Sequence, residues 1–191
     1  MIAALLRMNQ KEQFSTGIKS GTLMKKLHTL PPENETEPWK TRFGRKVQEV
    51  IQSYDDKPEK SQSEDLLIRY LQDNQELWDN RPQTFTHGDW NTENLILMPD
   101  SQIGMIDLSG ENDYGDPWWE FWLIPHDLNS SAYFYTGQIK GYFETSPPPA
   151  FFQLLSYYTA YSTLKWSPKN AQYVLNWFDN MRNPVPTWYL S

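Results

Sequence analysis

Thr86-His87-Gly88-Asp89-Trp90-Asn91-Thr92-Glu93-Asn94 runs directly into Leu95-Ile96-Leu97-Met98, and Ile103-Gly104-Met105-Ile106 runs directly into Asp107. The two apolar runs are short and suited to strands. Pro99-Asp100-Ser101-Gln102 between them is turn chemistry, so the stretch predicts a β-hairpin. In an antiparallel pair, the residue before the first strand and the residue after the second lie at the same end. Asn94 and Asp107 are therefore brought side by side, and Asp89 on the preceding loop reaches the same region.

The pattern on both sides of the hairpin is helical. Phe14, Ile18, Gly21, Leu23, Met24, Leu27 and Leu30 recur at helical spacing up to Pro31-Pro32, which end the run. A second helix carries Phe43, Val47, Val50 and Ile51. Ser63 is placed to cap a third, with Leu66, Leu67, Tyr70, Leu71, Leu77 and Trp78 on its apolar face. Thr84-Phe85-Thr86 is β-prone. After Pro125, helices are expected over about 130–143, 150–164 and 168–182. His28 falls near a helix C-terminus, where it would cap the helix. The expected class is α+β, mostly α: three helices, a small hairpin flanked by loops, then three helices. The divisions fall at 1–82 (leading helices), 83–125 (loop, hairpin and second loop) and 126–191 (closing helices).

Composition narrows the function. The chain has 191 residues with nine Trp, eleven Tyr and nine Phe, so a modest aliphatic content is offset by large aromatic side chains that can fill a core. There is no cysteine, which excludes disulfides, thiolate metal sites and cysteine nucleophiles. Three histidines at 28, 87 and 126 make no close ligand spacing. His126-Asp127 resembles half of a metal pair without a third ligand. No apolar run reaches membrane-spanning length, and Met1 to Leu6 is too short for a signal-peptide core. A cytoplasmic location is the expectation. The net charge of −7 argues against nucleic acid and anionic membrane as partners. It is compatible with a cationic small molecule and equally with a merely soluble surface.

An amide oxygen and a carboxylate are hard donors that suit Mg²⁺ when water and phosphate oxygens complete the shell. With a further carboxylate to accept or orient an attacking hydroxyl, Asp89, Asn94 and Asp107 form the set that phosphoryl transfer needs. The plainer reading of each residue alone is that Asp and Asn favour turns and loop ends. The ordered set is more specific. His87-Gly88-Asp89, then Asn94, then Ile106-Asp107 resembles the motif of the aminoglycoside phosphotransferases and their choline-kinase-like relatives. It also parallels the protein-kinase catalytic loop and its metal-binding Asp. Gly17 to His28 resembles the helix that precedes that loop. Tyr114-Gly115-Asp116-Pro117-Trp118-Trp119-Glu120-Phe121 resembles the Gly-Asp-Pro segment that follows it.

The resemblance implies a protein kinase-like fold represented by its C-terminal lobe, with the hairpin at the active-site edge. It implies ATP-dependent phosphorylation of a small-molecule hydroxyl, of the aminoglycoside, choline or homoserine kinase type. Asp89 would be the catalytic base, and Asn94 and Asp107 the Mg²⁺ ligands. His87 would shape the loop, and Asp116 would hold the loop backbone by hydrogen bonds. Glu111, Asp113 and Glu120 would meet a cationic acceptor, or else be solvated loop charges. Trp90, Trp118, Trp119 and Trp122 would stack on a substrate, or else pack beneath the loop.

The sequence departs from the family in three respects. No Gly-x-Gly-x-x-Gly and no strand-borne lysine occurs, and Asp107 is followed by Leu108 rather than an aromatic residue. The N-terminal lobe that supplies those parts has no counterpart here, so the isolated 191 residues are expected to turn over negligibly. A non-catalytic or vestigial binding role is the alternative. An uncovered lobe face would favour pairing of two copies.

Overall fold

Two helices carry glycines at the same four-residue spacing and cross through them. The computed structural model describes residues 1–32, 37–108, 114–127, 131–181 and 189. In it, Gly17 and Gly21 of α2 (Gln10–Leu27) lie against Gly137 and Gly141 of α6 (Ala132–Phe143). A Cβ at Gly17 would sit 2.0 Å from the Phe134 carbonyl oxygen, and one at Gly141 would sit 2.2 Å from that of Ile18. The backbones touch, and only glycine permits that approach. Asn9 and Glu12 form a reciprocal capping box at the start of α2, and α2 ends at His28, three residues before the proline pair.

A second group of helices gathers around one ring. α3 (Trp39–Asp55), α4 (Gln62–Asp73) and α7 (Pro149–Trp166) pack with α8 (Ala171–Met181). Phe43 is 1% exposed and contacts the rings of Trp39, Trp78, Trp119, Tyr157, Tyr158 and Tyr161. Edge-to-face packing of this kind adds about 0.5–1.5 kcal/mol per pair beyond area burial. The aromatic residues thus supply the core that the aliphatic ones do not. The cap of α4 is Ser61, not Ser63. Glu64 returns a carboxylate oxygen to the Ser61 backbone and so fixes the start two residues earlier, leaving the Ser63 hydroxyl to donate to Gln172. Leu66, placed on the apolar face by its spacing, is 44% exposed.

The sheets are two separate antiparallel pairs. β1 (Thr84–Phe85) pairs with β4 (Tyr114–Gly115), and β2 (Leu95–Leu97) pairs with β3 (Ile103–Met105). The registers are Phe85 to Tyr114 and Leu95 to Met105. The hairpin is as expected. β4 was not expected, because two residues carry no periodicity. Short helices α1 (Ile2–Leu5) and α5 (Ile124–Asp127) and a 3₁₀ turn at Pro117–Phe121 complete the site's surroundings. Among the described residues, no helix is long and apolar enough to cross a membrane.

Candidate active site

The hairpin ladder continues one residue beyond its strands, where the Ile106 amide donates to the Asn94 carbonyl at 3.0 Å. This bond sets Asp107 beside Asn94. Asp107 is exposed and left-handed, with φ 63°, a region in which Asp is tolerated better than most residues. Asn94 turns its Nδ2 to Asp89, donating to Oδ2 at 2.9 Å and to the backbone carbonyl at 3.0 Å. The Asn94 amide oxygen therefore faces away from Asp89. Asn91 Nδ2 donates to the other Asp89 oxygen at 2.8 Å. Asp89 is thus oriented through both oxygens, and each retains lone-pair capacity for a further donor.

His87 ties the two loops together. Its Nδ1 accepts the Asp89 amide at 3.3 Å, so the proton sits on Nε2, which donates to the Ile106 carbonyl at 2.8 Å. The ring is 1% exposed and lies edge-on to Trp90. The Trp90 indole N–H donates to Ser20 Oγ, which also accepts from Gln138 of α6. The glycine-mediated crossing thereby seats the residue next to Asp89.

Two carboxylates have roles different from those expected. Asp116, fully buried, accepts from Arg81 at 2.7 and 2.9 Å, from the Trp118 amide and from the Tyr158 hydroxyl. It caps the 3₁₀ turn and anchors a partly buried ion pair with Arg81. Burial and the Asp116 carboxylate push the Tyr158 hydroxyl well above its usual pKa, so that hydroxyl stays a donor. Glu120, read as meeting a cationic acceptor or else as a solvated loop charge, does neither within this chain: it is 2% exposed and turned inward. Its Oε1 accepts the backbone N–H of both His87 and Gly88, the latter at 3.0 Å. The loop-holding bonds that the resemblance assigns to Asp116 are therefore made by Glu120. A carboxylate inside the run Trp118-Trp119-Glu120-Phe121-Trp122 cannot be solvated and must meet buried donors, and that is the signal that could have identified it.

His28 lies behind Glu120. Its Nδ1 bonds the Tyr142 hydroxyl at 2.9 Å, and its Nε2 is 3.8 Å from Glu120. His28 does end α2, but its ring is buried in this network. On the far side of the loop, Asp127 accepts from Thr92 at 3.3 Å and from the Tyr135 hydroxyl. Asp127 therefore braces the loop, while His126 lies against Trp122 and Thr163. Among the described residues, no group of three or more His, Asp or Glu is placed to hold a metal ion. Trp90 and Trp119 are buried, and Trp118 and Trp122 are half-buried. Glu111 and Asp113 lie outside the described residues.

Replacing Glu120 with Ala should cost about 3 kcal/mol or more, because it strands two buried N–H groups at roughly 1–3 kcal/mol each. Glu120→Gln, which keeps one acceptor oxygen, should cost less. Urea unfolding followed by tryptophan fluorescence measures both, and equal midpoints for Glu120→Ala and the unaltered chain would remove the anchoring role.

A cavity of about 390 Å³ opens on one side of Asp89. Its walls include Trp39, Trp119, Trp122, Tyr161 and Trp166, with Lys46 reaching it from α3. Asn94 and Asp107 are not among its lining residues.

This is a kinase-like architecture. A choline/ethanolamine kinase family protein from Mesorhizobium loti superposes with TM-score 0.60 at 17% identity, over 94% of this chain and 59% of its own. The aminoglycoside phosphotransferase APH(2″)-IIa, solved with gentamicin, superposes with TM-score 0.60 at 15% identity, over all of this chain and 69% of its own. No curated protein sequence matches. The chain belongs to the phosphotransferase enzyme family, whose model matches residues 3–152. It spans 59% of the length of the Mesorhizobium protein.

Proposed function

We propose that this chain carries the catalytic portion of an ATP-dependent phosphotransferase acting on a hydroxyl of a small molecule, of the aminoglycoside, choline or homoserine kinase type. The observation that carries this reading is the placement of Asn94 and Asp107 side by side at the hairpin end, with Asn94 bonded to Asp89. The donor set fits Mg²⁺. Asn94 Oδ1 and the exposed Asp107 carboxylate are hard oxygen ligands, and a site with two protein ligands leaves room for water and phosphate oxygens. Bound there, Mg²⁺ would neutralise phosphate charge. Asp89 receives the proton of the acceptor hydroxyl as its oxygen bonds to the γ-phosphorus, and the bond from that phosphorus to the bridging oxygen breaks to release ADP. Asn91 and Asn94 orient the Asp89 carboxylate. His87 and Glu120 keep the loop from moving, and positioning carries much of this chemistry. No phosphate-loop motif occurs within these 191 residues, so transfer by them alone is expected to be slow.

The site is tested without turnover by adding Mn²⁺ with ATP to the isotopically labelled chain. Amide resonances of Asn94, Leu95, Ile106 and Asp107 should broaden selectively, and Asp107→Ala should abolish the effect. Broadening elsewhere, or broadening that survives Asp107→Ala, would exclude this metal site.

A further inference from the structure

We propose that the cavity beside Asp89 receives an acceptor with a flat face and an anionic substituent, its hydroxyl directed to Asp89. This rests on the phosphotransferase reading above and names the acceptor's chemistry. Three observations carry it. Trp166 is 54% exposed, an unusual state for so large an apolar side chain, and its ring lies beside Trp122 with centroids 5.0 Å apart and planes tilted by 40°. Both rings line the cavity that contains Asp89, so each offers an aromatic surface against which a flat ligand can pack.

The charge of the lining comes next. Besides Asp89 and the tyrosines, the ionisable residue among its described lining residues is Lys46. Burial pushes the Tyr161 hydroxyl up to about 12, so it adds no negative charge. Asp89 already accepts from two amides. Lys46 also has a partner in the protein, but an ammonium carries three donors and can serve both.

The backs of the aromatic walls are the third observation. The Arg42 guanidinium lies 3.8 Å from the Tyr114 ring centroid and 5.2 Å from that of Trp39, both of them cavity residues. A cation already lies over those rings, so a ligand ammonium in the cavity would gain less from them and meet like charge. Among the described residues, Lys46 lines the cavity, Arg42 lies over two of its lining rings, and the lining carboxylate is Asp89, the one the reaction would use. This disfavours a polycationic acceptor.

The test is binding to the whole chain without nucleotide or metal, by calorimetry, with three probes of matched shape. These are 4-(hydroxymethyl)benzoate, benzyl alcohol and 4-(aminomethyl)benzyl alcohol. The benzoate should bind about tenfold more tightly than the amine, and Lys46→Gln should remove that preference while leaving benzyl alcohol within about twofold. Trp166→Ala should weaken all three. Near-UV circular dichroism checks that each variant keeps its fold. An amine that binds as tightly as the benzoate, a preference that survives Lys46→Gln, or no binding by any probe up to about 10 mM overturns the proposal. These outcomes leave the Mn²⁺ experiment unaffected, so failure of the acceptor class is distinguishable from failure of the phosphotransferase reading.

Discussion

Gly21→Ala should destabilise the protein by about 4 kcal/mol or more, a loss in the range reserved for severe core disruption. The added Cβ would lie 1.9 Å from the Gln138 carbonyl oxygen and 2.7 Å from the Tyr142 amide nitrogen. A carbon–oxygen contact ordinarily requires about 3.3 Å or more, and both obstacles are helix backbone, which cannot rotate aside. Relief requires α2 and α6 to separate along their whole crossing. Alanine's better helix propensity returns only about 1 kcal/mol.

The effect should extend to the site, since Ser20, next to Gly21, holds Trp90 and Gln138. Gly104→Ala is the control: its nearest neighbour would be Met98 Sδ at 3.8 Å, an ordinary contact, and its effect should stay within about 1 kcal/mol. Urea unfolding compares the two. If they prove equally mild, the backbone contact between the helices is not what this structure describes.

The second large effect concerns chemistry. Asp89→Asn should lower phosphotransfer by about 10³-fold, roughly 4 kcal/mol of transition-state stabilisation, as expected for loss of a general base. The side chain is only half-buried, so global stability should change by about 1 kcal/mol or less. Asparagine also places an NH₂ group opposite one of the two amide donors that orient the carboxylate, from Asn91 or Asn94. Geometry and proton acceptance are lost together. Transfer of labelled γ-phosphate is the measurement. Retention of a tenth or more of the activity would mean that Asp89 is not the base. Asn91→Ala, which removes one orienting bond and leaves the carboxylate, should give a smaller loss.

Much of the site was legible because it is local. The residues from His87 to Asp107 lie on one hairpin and its flanking loops, so spacing alone places Asn94 opposite Ile106 and Asp107 next to it. The α2, α3 and α6 periodicities were legible for the same reason. Spacing does not separate Ser61 from Ser63 as the cap, because both Ser61-Glu64 and Ser63 with its following acids suit a first turn. The reciprocal bonds decide between them.

What the sequence by itself determined was the hairpin, its polar ends, the helical surroundings and an aromatic core without cysteine. Backbone preferences and short-range pairing dictate these. Tertiary structure alone decided the pairing of Asp116 with Arg81, the hold of Glu120 on the loop backbone, the burial of His28, the bracing of Thr92 by Asp127, and the cavity that Lys46 shares with Asp89. Each depends on groups distant in the chain, and burial fixes the result. A carboxylate enclosed among tryptophans must find whichever donors the packing brings to it, and periodicity does not specify which ones those are.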